Sequence, residues 1–212
     1  MPSKKTGESM KIEISRILNS IGAFQFGAFR LTSGKMSPYY IDLRVIPSFP
    51  DAFRKICNFY ADFIIDNVET KNFERIAGIP VAGIPFASLI AYQLEKPFLY
   101  IRKGVRRHGR ERRIEGVIAP GERILLVDDL ITTGLSLQNA AKTIVAEGGL
   151  VTDAAVLLDR QEGGKKKLSE SLIKLHALVN VAEVANTLHE LGTIDEEQLK
   201  TILKQIKTER KR

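Results

Sequence analysis

Cysteine is nearly absent from this sequence, since Cys57 is the only one among 212 residues. A single cysteine cannot form an intramolecular disulfide, and it cannot supply the several thiolates of a zinc or iron–sulfur centre. A disulfide-stapled secreted scaffold and a thiolate metal site are therefore excluded. The first residues are polar and lack the apolar stretch of a secretory signal, and we expect a reducing, cytoplasmic location.

The sequence also lacks an uninterrupted apolar run of the kind that crosses a membrane. Its longest uncharged stretch, residues 76–94, approaches the ~20 residues that a spanning helix needs. The first half of that stretch contains Gly78, Pro80, Gly83 and Pro85, which are poorly compatible with a continuous helix. We interpret it as a strand, a tight loop and a buried helix, and we expect no membrane association.

Acidic residues are outnumbered, with 25 Asp and Glu against 32 Lys and Arg and a net charge of +7. Residues 102–113 hold seven cations and one acid, residues 200–212 hold six and one, and the rest of the chain carries −4. Such segments suggest a polyanionic partner. Neither contains an aromatic side chain on which a base could stack, which argues against an RNA-binding protein.

Predicted strands and helices alternate along most of the chain, and 44% of the residues are apolar. We predict strands at 75–79, 97–101, 123–128 and 150–158, helices at 9–21, 51–68, 83–94, 135–147, 181–191 and 196–206, and a hairpin within 24–42. This alternation is typical of a parallel sheet with right-handed crossovers. The expected architecture is a single α/β domain with its core at about 50–165 and a helical C-terminal tail at about 180–212.

The densest group of polar side chains follows a predicted buried strand. Asp128 and Asp129 end that strand, and a hydroxyl-rich loop at 132–136 opens the next helix. Ligands of open α/β sheets bind at the carboxyl ends of strands, and a helix N-terminus attracts phosphate. Paired carboxylates repel a phosphate, so we expect them to face sugar hydroxyls or a cation. Strand-ending acids and a capping threonine would explain each feature alone, but together they indicate a ribose 5-phosphate site.

This segment resembles the signature of type I phosphoribosyltransferases, which use Mg²⁺ and 5-phosphoribosyl-1-pyrophosphate (PRPP) and replace the pyrophosphate by a nitrogen base. The resemblance implies that Asp128 and Asp129 contact the ribose hydroxyls, and that Mg²⁺ is held mainly through the substrate with these two acids as candidate ligands. The residues implied to hold the 5-phosphate are Thr132, Thr133, Gly134, Leu135 and Ser136. The implied fold is a central parallel sheet flanked by helices, with a small hood from about residues 1–45 plus part of the C-terminal region.

Two further segments resemble orotate phosphoribosyltransferases. Residues 33–42, Ser-Gly-Lys-Met-Ser-Pro-Tyr-Tyr-Ile-Asp, are similar to the hood element over the pyrimidine. Tyr40 is our candidate for the ring against the base, a contact worth ~1 kcal/mol beyond burial; two tyrosines in a hairpin core are the alternative. Residues 159–164, Asp-Arg-Gln-Glu-Gly-Gly, imply that Arg160 binds the orotate carboxylate with help from Thr132. An exposed ion pair is the alternative there.

Residues 100–109 resemble the family's mobile catalytic loop, which reaches the partner subunit's site in a homodimer. The residues implied to surround the departing pyrophosphate are Arg102, Lys103, Arg106 and His108. The implied catalytic residues are Lys103, Arg106 and His108, together with Asp128 and Asp129. Arg106 would act as a fixed charge, and His108 could protonate the leaving oxygen. A solvated basic loop is the alternative, and a nucleic-acid patch is another.

Residues 78–85 resemble the family's pyrophosphate loop, where glycines allow backbone N–H groups to approach phosphate oxygens. The chain departs from the bacterial pattern at three positions, because Thr32, Ala82 and Arg106 stand where lysines are usual. The resemblance leaves the implied activity in place but weakens the transfer of individual roles at these positions.

The implied reaction is displacement of pyrophosphate from PRPP by N1 of orotate, with inversion, to give orotidine 5′-monophosphate in pyrimidine synthesis. A purine phosphoribosyltransferase and a catalytically silent, PRPP-sensing regulator that binds nucleic acid are the alternatives. The second basic segment, residues 200–212, has no assigned role. Its last residues resemble a solvated helical tail, and we predict that deleting residues 208–212 leaves turnover intact.

Overall fold

A mixed, mostly parallel sheet forms the centre of the computed structural model, which describes residues 7–30, 36–102 and 113–210. The strands are β1 Phe24–Arg30, β2 Met36–Ile41, β3 Arg75–Gly78, β4 Phe98–Ile101, β5 Ile114–Glu115, β6 Ile124–Ile131, β7 Asp153–Asp159 and β8 Lys174–Asn180. The helices are α1 Gly7–Ser20, α2 Pro50–Asn67, α3 Gly83–Gln93, α4 Leu135–Ala146, α5 Gly164–Ser169, α6 Val181–Glu190 and α7 Glu196–Arg210, with 3-10 helices at Leu43–Ser48 and Thr70–Asn72.

The central sheet has the strand order β5-β4-β3-β6-β7-β8. All neighbouring pairs are parallel except β4 and β5 at one edge, which are antiparallel. The predicted α/β architecture is therefore confirmed, and β8 extends the sheet beyond the strands that the sequence pattern indicated. The pattern missed β8 because a histidine interrupts it; His176 is buried and its Nε2 lies 2.7 Å from Asp153 Oδ1 on β7.

Helices cover both faces of the sheet. Successive side chains of β6 point to opposite faces and therefore pack in different apolar clusters. Leu125 and Val127 pack in the larger apolar cluster with α1, α2, α3, α6 and α7. Ile124 and Leu126 pack in the second cluster with α4 and α5. A strand buried on both faces reads as a continuous apolar run, which is why β6 could be recognised from the sequence.

The hood is the antiparallel hairpin of β1 and β2, which confirms the predicted hairpin; its predicted turn at residues 33–35 lies outside the described residues. Helix α7 packs against β2 and α6. Ile202 and Ile206 of α7 are buried, and Gln205 Nε2 donates to Ser37 Oγ at 3.2 Å. An apolar stripe at helical spacing therefore joins α7 to the hood as far as residue 206.

In the part of the chain that the structure describes, the helices are too short or too polar to cross a lipid bilayer.

Candidate functional site

The site is a cleft of about 490 Å³ at the carboxyl ends of β3 and β6. Residues 80–82, between β3 and α3, line one part of it, and residues 128–137 line another. Arg44, from the first 3-10 helix, also lines it. Strand β3 is followed by β4 on one side and β6 by β7 on the other, so the cleft lies at a topological switch point, where α/β sheets bind ligands.

Two adjacent carboxylates form the floor of the cleft. Asp128 and Asp129 are 7% and 9% exposed, and Asp128 Oδ1 accepts a hydrogen bond from the backbone N–H of Asp129 at 2.9 Å. The predicted strand end at Asp128 is three residues too early, because Leu130 and Ile131 continue the ladder with β7. Both acids therefore belong to the C-terminal part of a paired strand and not to the loop after it.

Burial sets the electrostatics of this pair. The pKa of Asp129 is raised chiefly by loss of solvent, against the opposing effect of hydrogen bonds from Asp128 and the backbone. Beneath the pair, the Tyr60 hydroxyl donates to the Asp128 carbonyl oxygen at 3.1 Å, and burial raises the pKa of Tyr60 well above its ordinary value. Tyr60 is a supporting residue that the sequence pattern did not indicate.

Gly83, the first residue of α3, permits the close approach of that helix to the acids. A Cβ atom at this position would lie 2.6 Å from Asp128 Oδ1 and 2.8 Å from its Cα. The contact includes backbone, which cannot move aside as a flexible side chain can. A glycine is therefore required where the predicted pyrophosphate loop meets β6.

The hydroxyl-rich loop brings all the predicted phosphate-binding residues to the cleft. Its lining includes Thr132, Thr133, Gly134, Leu135 and Ser136. Helix α4 begins at Leu135, as predicted, and its N-cap is Gly134 with φ 79°. Because glycine supplies no capping oxygen, the first N–H groups of α4 are available to an anion in the cleft.

The segment after β7 anchors this loop by backbone hydrogen bonds. The Gly164 N–H donates to the Thr132 carbonyl oxygen at 3.0 Å, and a Cβ at Gly164 would lie 2.6 Å from that oxygen. The Arg160 N–H likewise donates to the Ile131 carbonyl oxygen at 3.0 Å. The predicted segment 159–164 is therefore tied by backbone bonds to the segment that carries the hydroxyls.

Arg160 follows β7 as predicted, but its side chain packs under the hood. The guanidinium carbon lies 5.6 Å from the centre of the Tyr39 ring, and Nη2 lies 2.8 Å from Glu162 Oε1. The two charged side chains are only 15% and 17% exposed. Arg160 Nε is buried and finds no hydrogen-bond partner among the described residues, which leaves an unsatisfied donor at the predicted carboxylate site.

Tyr40 lies on the face of β2 opposite to Tyr39, since alternate residues of a strand point to opposite sides. Its ring packs against Phe29 at a centroid distance of 5.6 Å, and its hydroxyl accepts from Arg44 Nη2 at 3.4 Å. The structure therefore brings Tyr39, and not Tyr40, against Arg160. The contact between Tyr40 and a base stays a prediction.

The predicted basic loop is described only at its ends. Arg102 Nη1 lies 2.9 Å from Glu115 Oε1, and its backbone N–H donates to the Arg113 carbonyl oxygen at 2.8 Å. This ion pair places Arg102 beside β5, outside the described lining of the cleft. The predictions for Lys103, Arg106 and His108 fall outside the described residues, as does the departure at Thr32.

The acid pair can also be compared with the ligands that the predicted Mg²⁺ would need. Within residues 7–30, 36–102 and 113–210 there is no group of three His, Cys, Asp or Glu side chains suited to a metal. Mg²⁺ usually needs no such cage, because it keeps several waters and binds one or two carboxylates together with substrate phosphates. Asp128 and Asp129 offer those carboxylates beside an open cleft, so the donor set is compatible with the predicted cofactor.

Comparison with known proteins gives consistent matches over most of the chain. The phosphoribosyl transferase domain family matches residues 50–183. The orotate phosphoribosyltransferase of Cenarchaeum symbiosum (strain A) is 43% identical over 180 residues, which cover 85% of this chain and 90% of that protein.

Two solved structures resemble the fold. Orotate phosphoribosyltransferase from Aeropyrum pernix has a TM-score of 0.74 at 27% identity, over 86% of this chain and 99% of that one. Leishmania donovani UMP synthase has a TM-score of 0.82 at 29% identity, over 93% of this chain and 42% of that one.

Proposed function

The chain belongs to the orotate phosphoribosyltransferase family, and we propose that its cleft transfers the 5-phosphoribosyl group of PRPP to N1 of orotate. The products are orotidine 5′-monophosphate and pyrophosphate, a step of pyrimidine synthesis. One observation supports this assignment most directly: a buried acid pair and the N-terminus of α4 line the same cavity. Carboxylates suit the ribose diol, and the helix N-terminus suits the 5-phosphate.

The 5-phosphate binds at the loop 132–136. The first N–H groups of α4 and the hydroxyls of Thr132, Thr133 and Ser136 donate to its oxygens, and the helix dipole favours its charge. The backbone bond from Gly164 to Thr132 holds the loop in place before the substrate arrives, so less conformational freedom is lost on binding.

The ribose lies over the acid pair, where Asp128 and Asp129 accept hydrogen bonds from its hydroxyls. Asp128 is held by the N–H of Asp129, and both carboxylates belong to a paired strand, so the sugar is held with its anomeric carbon in a defined position. Departure of pyrophosphate ahead of the attack by N1 leaves a sugar with oxocarbenium character. The nearby carboxylates stabilise that positive charge in a poorly solvated site.

Mg²⁺ bound at the acid pair and the substrate would neutralise charge on the leaving pyrophosphate. Asp128 and Asp129 are the residues that would hold it. Lys103, Arg106 and His108 are proposed to approach the same group, as the resemblance implies. The proposal also includes a homodimer whose subunits share this loop, and a cytoplasmic location. The single cysteine, Cys57, is a buried free thiol, which is consistent with a reducing compartment.

Orotate is selected through its carboxylate. Arg160 carries a buried Nε donor without a partner among the described residues, and a guanidinium can bind a carboxylate through two parallel bonds. Uracil lacks this group and leaves the donor unsatisfied, which is costly in a buried site. Arg160 therefore favours orotate over uracil.

Pyrophosphate release with Mg²⁺, PRPP and one base at a time tests the proposal. Orotate should give release, whereas uracil, adenine and hypoxanthine should not. Release with a purine alone would contradict the assignment, and so would the absence of release with every base.

A further inference from the structure

Arg44 is the one cationic side chain among the described residues that line the cleft. The other charged groups of this lining are the carboxylates of Asp128 and Asp129. Their negative charges alone would repel PRPP, whose phosphate and pyrophosphate groups are anionic.

The guanidinium of Arg44 is held in one orientation by Asp42. Nε lies 2.7 Å from Asp42 Oδ1 and Nη2 lies 2.8 Å from Oδ2, a two-pronged geometry that fixes the plane of the group. Nη2 also donates to the Tyr40 hydroxyl at 3.4 Å. Within the described residues these bonds engage Nε and Nη2, so the N–H groups of Nη1 remain for a ligand.

The remaining walls of the cleft indicate which anionic group Arg44 meets. The 5-phosphate has its own donors at the start of α4. The loop 80–82 consists of Pro80, Val81 and Ala82, so it brings no charged side chain to the pyrophosphate. Among the described residues, Arg44 is therefore the available fixed charge for the more highly charged end of PRPP.

We propose that Arg44 binds the pyrophosphate group of PRPP through Nη1, with Asp42 as the residue that positions it. This inference rests on the proposed function of the cleft. It adds a binding residue from the 3-10 helix that follows the hood, so that this part of the chain contributes to binding of the leaving group.

Arg44→Gln tests the inference, with Arg54→Gln as the matched control. The two arginines are equally exposed, at 66% and 67%, and each pairs with an aspartate at 2.7 Å, but Arg54 is absent from the described lining of the cleft. We expect Arg44→Gln to raise the KM for PRPP about tenfold, as for loss of a charge-assisted hydrogen bond. The KM for orotate should change much less, and Arg54→Gln should behave as wild type.

Direct titration separates this inference from the assignment of the reaction. Inorganic pyrophosphate and ribose 5-phosphate are titrated separately into each protein with Mg²⁺. We expect Arg44→Gln to weaken pyrophosphate binding about tenfold and to leave ribose 5-phosphate binding unchanged, with the thermal midpoint of the wild type.

Unchanged pyrophosphate binding would overturn the role of Arg44, and so would an equal loss for ribose 5-phosphate. A wild-type protein that binds pyrophosphate through Arg44 but does not consume orotate would instead contradict the proposed function.

Discussion

The two ends of the proposed site, one for the phosphoribosyl group and one for the base, are built in different ways. The phosphoribosyl end comes from one continuous segment, in which β6 supplies the acids and the next loop supplies the hydroxyls. The proposed base end is assembled from separate parts of the chain, with Tyr39 from the hood and Arg160 from the core, and neither side chain belongs to the described lining of the cleft. The first end is held by backbone bonds to β7, whereas the second depends on how the hood packs.

This difference has a consequence for binding. The phosphoribosyl end is organised before the substrate arrives. At the base end, Arg160 is already paired with Glu162, so orotate must share or exchange that partner. We expect changes at the first end to act mainly on the rate and changes at the second to act mainly on the affinity for orotate.

Asp128→Asn at the phosphoribosyl end should have the largest effect. The amide keeps the shape of the side chain but removes a negative charge from the position under the ribose. We expect kcat to fall about a hundredfold, equivalent to ~2.7 kcal/mol of transition-state stabilisation. Steady-state kinetics measures this, with Asp62→Asn on the exposed face of α2 as the control. A change in the KM for orotate alone, with kcat unaltered, would contradict the proposed division between the two ends.

Arg160→Gln at the base end should have the next largest effect. Loss of a hydrogen bond between charged groups is worth ~2 kcal/mol, so the KM for orotate should rise about 30-fold with little change in the KM for PRPP. The double variant R160Q/E162Q removes both members of this mostly buried ion pair. It separates lost orotate affinity from the instability caused by leaving one buried charge. Equal increases in both KM values would contradict a base-specific role.

The phosphoribosyl end could be predicted from the sequence because its chemistry is contiguous. An apolar strand, two acids and a hydroxyl-rich loop follow one another, and local rules place all of them at one edge of a sheet. Only the end of β6 was misplaced, since the acids interrupt the apolar run while the ladder with β7 continues to Ile131.

The base end could be predicted only in part, because tertiary packing decides it. Alternation along β2 shows that Tyr39 and Tyr40 face opposite sides, but it does not show which side meets Arg160. Which face of β2 meets Arg160 depends on how α7 packs against the hood. The many charged residues of α7 make that packing hard to recognise from the sequence. Arg44 was missed for a similar reason, since nothing local indicates that the 3-10 helix after the hood lines the cleft.

Asp129→Asn should show the cost of the buried acid pair in stability. Burial raises the folded-state pKa of Asp129, so the ionised form is disfavoured by folding. Its contribution to stability is greatest below the unfolded-state pKa and is lost as the pH rises through the folded-state value. The variant should therefore be more stable than wild type at neutral pH, and this gain should shrink in acid.

Urea unfolding at several pH values measures this effect. A destabilised variant at neutral pH would show that the carboxylate has stronger partners than its burial suggests, and that the phosphoribosyl end is not strained by its charge.

Gln205→Ala should have the smallest effect and should appear at the base end alone. The substitution removes the hydrogen bond from α7 to Ser37 of the hood, which is worth ~1 kcal/mol of unfolding free energy. Because the hood holds Tyr39 over Arg160, the KM for orotate should rise slightly while the KM for PRPP stays constant. Deletion of residues 208–212 is the comparison, and turnover should remain intact there. If the deletion slows turnover more than Gln205→Ala does, the hood is held by the last residues of the chain, and the base end extends further along α7 than its buried stripe indicates.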